Sequence, residues 1–151
     1  TNLDLFAEAG NSLDGPFDGI AGTFLGLVKP GKTHNGISNP PVNEGGYIQF
    51  TIDMKKSQPV NYFRIRHTRT GNVQLSQISG SNDGEHFTVI DTDVAVTGYD
   101  VSDNIMTPNI FFKEATYRYL RFYANATDCW DPSSGNSVQM SEFYLGWEAQ
   151  Q

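Results

Sequence analysis

"TYRYLRFYAN", residues 116–125, alternates from end to end: Leu120, Phe122 and Ala124 fall on one side of an extended chain, and Tyr117, Tyr119, Arg121 and Tyr123 on the other. A period of two predicts a β-strand with one buried face. Working outward, "YIQFTID" (47–53) sets Ile48, Phe50 and Ile52 against Tyr47, Gln49, Thr51 and Asp53, and "SEFYLGW" (141–147) aligns Phe143, Leu145 and Trp147. Shorter strands are predicted at 61–67, 73–79, 86–90 and 109–112. Turn chemistry separates them: "PGKTHNG", "SNPP", "RTGN", "SNDG", "TGYD" and "DPSSGN". No segment keeps helical spacing between caps for more than about two turns. Strands at short intervals with polar turns predict an all-β antiparallel sandwich or barrel. Residues 10–46 are the least regular, rich in Gly, Pro and Asn, and a connection of that length in a compact domain carries function or packs as an excursion.

At 151 residues the chain is long enough to bury a core without disulfides, and a single domain over 1–151 is expected. Ten basic against seventeen acidic residues give a net charge of −7. That balance argues against nucleic acid and anionic membrane lipid as partners, since both need a basic footprint. Neutral ligands and cations stay open. No apolar run approaches the roughly 18 residues of a membrane span. No signal peptide stands at Thr1, and the chain begins as a cut-out or processed domain is expected to. The lone Cys129 forms no internal disulfide and reads as a small buried hydrophobe. Three scattered histidines and one cysteine, without nucleophile-elbow or zinc-ligand spacing, supply no triad and no zinc site. Acidic pairs for glycoside hydrolysis are not excluded by counting, but a small sandwich more often presents a binding face, so no catalytic residue is expected.

Four stretches carry a family resemblance. "DGIAGTF" (18–24), "GSNDGEHFTVI" (80–90), "ATYRYLRFYA" (115–124) and "SVQMSEFYLGW" (137–147) resemble, in order, the motifs of the discoidin, or coagulation factor V/VIII C-type, domain. These are an Asp-Gly-x-x-x-Thr loop, a Ser-x-Asp-Gly turn between strands, an Arg-Tyr strand, and a last strand with Glu ahead of alternating apolar residues. The resemblance spans nearly the whole chain and implies a jelly-roll β-sandwich of about eight main strands. Acidic bacterial members are mostly family 32 carbohydrate-binding modules of secreted glycosidases and surface glycan-capture proteins. Two positions after the loop threonine, where the family usually has Trp, this chain has Leu25.

The resemblance implies a structural calcium ion where the first loop meets the last strand, held by Asp18, Thr23 and Glu142 with backbone carbonyls. Calcium takes six to eight oxygens at about 2.3–2.6 Å, and Gly-rich backbone can aim several at one point. The alternation of the last strand puts Glu142 on a face with Val138, Met140 and Tyr144, where an unpaired carboxylate is costly. The alternative is an arginine partner for Glu142 and plain turns at both Asp-Gly pairs. At 100 times its Kd, the ion would add about 2.7 kcal/mol to stability.

For a glycan ligand, the resemblance of "HTRTGN" (67–72) points to Arg69 and Asn72, and that of "ATDCWDPSSGN" (126–136) to Trp130 as the stacking aromatic. Sugar rings stack on Trp or Tyr while Arg, Asn and His fix the hydroxyls. "KTHNG" (32–36) adds His34 and Asn35. Each has a scaffold alternative: Arg69 bracing carbonyls, Asn72 as a left-handed turn residue, Trp130 folded inward, and His34-Asn35-Gly36 as a hairpin turn. Trp147 is expected in the core or capping the sandwich. The expected function is a non-catalytic, monomeric carbohydrate-binding module recognising a glycan or oligosaccharide, in a secreted, periplasmic or cell-surface bacterial protein beside a catalytic domain. Protein adhesion and a purely architectural role are the alternatives.

Overall fold

The structure is a computed structural model and describes residues 2–3, 25–29, 31–34, 36–44, 48–67, 72–73, 75, 77–92, 94, 106–124, 129–130 and 137–150. Its strands are β1 (Asn2–Leu3), β2 (Leu25–Val28), β3 (Thr33–His34), β4 (Ile37–Ser38), β5 (Ile48–His67), β6 (Asn72–Val73), β7 (Gln77–Ser81), β8 (Thr88–Asp91), β9 (Ile110–Ala124), β10 (Cys129–Trp130) and β11 (Ser137–Gly146). The main sheet runs β2-β11-β5-β9-β7-β8, with β1 beside β5, and β10-β6 and β3-β4 form two small sheets. Every pairing is antiparallel. Among the described residues, one 3-10 turn at Val42–Glu44 is the sole helical element. The predicted all-β antiparallel class is what the chain adopts.

One long ribbon, β5 against β9, makes two layers out of this connected sheet. Its ladder runs from Ile48 opposite Ala124 to Phe63 opposite Ile110, with register shifts between Asp53 and Gln58 and between Val60 and Tyr62. In a straight strand, Phe50 and Phe63 would lie about 43 Å apart at ~3.3 Å per residue. Instead both rings pack on Phe122, each at a centroid distance of 5.4 Å. The ribbon therefore doubles back, and the turn falls at the first register shift. Lys55 there has φ of +71°, which L-residues seldom adopt. Asp53 secures the bend: its Oδ1 accepts the Lys55 N–H at 2.8 Å, and Arg118 on β9 donates to both of its oxygens at 2.9 and 3.0 Å.

Phe50, Phe63, Phe122 and Phe143 form the centre of the core, with the Phe122 and Phe143 rings 5.0 Å apart. Phe112, Leu120, Ile65, Leu75 and Ile78 fill in around them. The inward faces expected for 116–125 and 47–53 are the buried ones: Leu120, Phe122, Phe50 and Ile52 are core. Two expectations are corrected and one is narrowed. The strands predicted at 109–112 and 116–125 are one continuous β9, because β5 pairs with both ends of it, at 110–111 and at 115–124. The strand predicted from His86 begins at Thr88, since residues 82–86 are taken up by the SNDG turn. Of the two places expected for Trp147, the core is excluded and the sandwich end is left: it is 49% exposed, beyond the end of β11, and its indole N–H is taken by Glu114.

The SNDG turn explains its own sequence. Ser81 Oγ accepts from the Asp83 and Gly84 amides, Asp83 Oδ1 accepts from those of Glu85 and His86, and Gly84 takes φ of +78°. These bonds hold the Asp83 carboxyl below its ordinary value of 3.8, chiefly through the His86 amide, and Arg118 does the same for Asp53. A carboxyl depressed in the folded state contributes stability that is complete above its unfolded value and fades as pH falls through the folded one. The Asp53→Asn, Asp83→Asn double variant is therefore expected to lose less of its own stability than the parent between about pH 4 and pH 2. Urea midpoints across that range test this, and parallel acid limbs would refute it.

Candidate functional site

Two loops that are remote in sequence meet through β6 and β10. Trp130 is the register partner of Asn72, and Cys129 that of Val73. The aromatic and the amide expected to contact a ligand thus occupy directly opposed backbone positions. Arg69, three residues before Asn72, lies outside the described residues.

His34 closes a different element. Thr33 and His34 pair with Ser38 and Ile37 in a tight hairpin, with a bond between the Thr33 and Ser38 hydroxyls at 2.9 Å and Gly36 at φ of +81°. This is the hairpin-turn alternative raised for His34-Asn35-Gly36, although Asn35 itself lies outside the described residues. No described strand pairing joins the hairpin to β6–β10. The hairpin is anchored by Asn39, which no sequence signal singled out. Asn39 is buried, its Nδ2 donates to the Val28 carbonyl at 2.9 Å, and its N–H donates to the Lys32 carbonyl.

Glu142 is the one expected calcium ligand among the described residues; Asp18 and Thr23 lie outside them. It is 4% exposed, follows a register shift after Met140, and sits opposite Arg66 of β5. The arginine alternative thus has a residue in position. One carboxylate oxygen of Glu142 accepts the Tyr144 hydroxyl at 2.8 Å, and that bond raises the Tyr144 pKa. A buried carboxylate at the bulge of the last strand is a hard oxygen donor and fits a calcium site.

The fold is an antiparallel β-sandwich in which the β6–β10 pairing joins two segments remote in sequence. The chain belongs to the F5/8 type C domain family, whose model matches residues 26–142. A search of curated proteins finds no match. Solved structures with this fold include a family 32 carbohydrate-binding module from a family 31 glycoside hydrolase of Clostridium perfringens, at TM-score 0.60 and 16% identity, covering 97% of this chain and 92% of that one. A second Clostridium perfringens module of family 32, solved with GalNAc-β-1,3-galactose, has TM-score 0.60 and 15% identity over 91% and 84% of the two chains. Chitosan-binding module 2 of a Paenibacillus chitosanase/glucanase, solved with chitotriose, has TM-score 0.60 and 15% identity over 97% and 92%. The jelly-roll expectation is met by these neighbours.

Proposed function

We propose that this domain is a non-catalytic carbohydrate-binding module. The reading is supported by the β6–β10 pairing, in which Trp130 is the register partner of Asn72, and by neighbours of this fold solved with GalNAc-β-1,3-galactose and with chitotriose. Arg69 supplies the guanidinium that fixes hydroxyls, and His34 and Asn35 belong to the same proposed set. The neighbours bind chemically different glycans, so the sugar is set by loop residues and not by the sandwich. A single small polar ligand binds weakly, and attachment to a catalytic domain of a secreted or cell-surface bacterial protein would raise useful affinity through effective concentration.

Binding is expected on a glycan array of the isolated domain, and Trp130→Ala or Arg69→Ala should weaken it by about tenfold, the scale of one lost stacking or charged hydrogen-bonding partner. A silent array together with capture of a protein partner would favour adhesion instead.

A structural calcium ion held by Asp18, Thr23 and Glu142 would tie the first loop to the last strand. Chelation should then lower Tm by about 5–10 °C, the equivalent of ~2.7 kcal/mol in a domain of this size. An unchanged Tm would remove the ion from the proposal without touching the glycan reading.

A further inference from the structure

Between β8 and the first half of β9 lies a cleft of about 360 Å³, walled by Thr88, Val89, Lys113, Glu114, Thr116 and Tyr117. It exists because of the bent ribbon. β7 pairs with residues 119–123 of β9, so the half of β9 before that passes β8 with no described ladder between them. A bond from the Lys113 amide to Asp91 at 2.9 Å closes one end.

Glu114 links this cleft to the exposed Trp147, whose indole N–H it accepts. The segment carrying Trp147 is held from several sides. The Asn61 amide acts as a surrogate strand, donating to the Glu148 carbonyl at 2.7 Å and accepting from its N–H at 2.9 Å. Asn109 donates to the Glu148 carboxylate at 3.1 Å. Beside it the Tyr62 ring stands edge-on to the half-exposed Phe111, in space left by Gly146, where a Cβ would come within 2.3 Å of Tyr62. Trp147 follows Gly146, the last residue of β11, which lies up to about 30 Å from Ser137, its first, at ~3.3 Å per residue.

We infer that the β8–β9 cleft, with Trp147 tied to its Glu114 wall, is a second glycan-binding site, separate from the β6–β10 pairing. The wall offers the Lys113 ammonium as donor, the Glu114 carboxylate as acceptor, the hydroxyls of Thr88, Thr116 and Tyr117 and the Tyr117 ring, and Glu114 also holds the Trp147 indole. A polyhydroxylated ring needs that mixture: donors and acceptors for its hydroxyls, and a flat apolar surface for its C–H face. The volume falls in the range of small-molecule sites, about 300–1,000 Å³. A protein partner would instead need a patch of roughly 800 Å². A nucleotide or lipid phosphate is disfavoured by Glu114 and by the net charge of −7.

The test is a titration of the ¹⁵N-labelled domain with glucose, galactose, N-acetylglucosamine, N-acetylgalactosamine and their β-linked disaccharides, up to about 20 mM, well above a millimolar Kd. It is run on the parent protein and on Trp130→Ala. At least one sugar is expected to move the Trp147 indole signal together with the amides of Thr88 and Lys113–Thr116, in both proteins alike. Trp147→Ala should raise the Kd read from those amides by about tenfold while leaving the spectrum folded. Amides unmoved by every sugar would overturn the inference. So would movements that vanish in Trp130→Ala, since they would be transmitted from the loops. Because the two tryptophans are read separately, failure of either site leaves the other measurable.

Discussion

Truncating Phe122 to alanine is expected to lower the unfolding free energy by about 3–5 kcal/mol, the range for removing a fully buried phenylalanine from a packed core. Phe122 is fully buried and is the ring on which both halves of the bent ribbon converge, with Phe50 and Phe63 at 5.4 Å and Phe143 at 5.0 Å. Its removal deletes the ring in contact with all three, leaving Phe143 alone to bridge Phe50 and Phe63, and the surrounding strands are too well paired to collapse into the space. Urea unfolding with an unchanged m-value measures the loss. Phe122→Leu should recover part of it by restoring volume. A loss below about 1 kcal/mol for the alanine variant would mean that the aromatic cluster does not organise the sandwich.

Adding bulk at Gly80 should cost about 3 kcal/mol, the upper end of the range for overpacking. A Cβ built there falls 2.3 Å from Cδ2 of Tyr117 and 2.6 Å from its Cγ, so the clash is with the body of a ring and not with a mobile tip. Tyr117 is packed against the core and walls the β8–β9 cleft, and Gly80→Val must displace it. The two sites should be strongly coupled: in a Tyr117→Ala background the valine should cost much less, because the ring it strikes is gone. Equal costs in both backgrounds would place the strain elsewhere. Displacement of Tyr117 should also disturb the cleft amides while leaving the β6–β10 signals in place.

The strands were the legible part of this sequence, and the physical reason is local. Alternation at 116–125 and 47–53 records which face is buried, and Leu120, Phe122, Phe50 and Ile52 point as it predicts. The bend was not legible, because Lys55 adopts positive φ without the glycine that usually announces it. Its support comes from Arg118, a distant residue in the sequence, and a short window holds no record of that partnership. Trp147 misled for a related reason: it continues the apolar alternation of β11, but the strand has ended and Glu114 holds the ring outside. Of the ligand set, Trp130 and Asn72 came from family resemblance, and their opposition on β10 and β6 could not be read from spacing. Asn39 and Asn61 gave no signal because each acts as a stand-in for backbone, satisfying carbonyls that only the tertiary fold exposes.

The doubled-back ribbon has a consequence for how the domain comes apart. In a sandwich of two separate sheets, one layer can open while the other persists. Here the same two strands, β5 and β9, run out of one layer and into the other, and their pairing resumes at Gln58 after the register shift at the bend. The layers share both strands of this ribbon, so the paired β5 and β9 amides on the two sides of the bend should exchange with solvent at similar, high free energies.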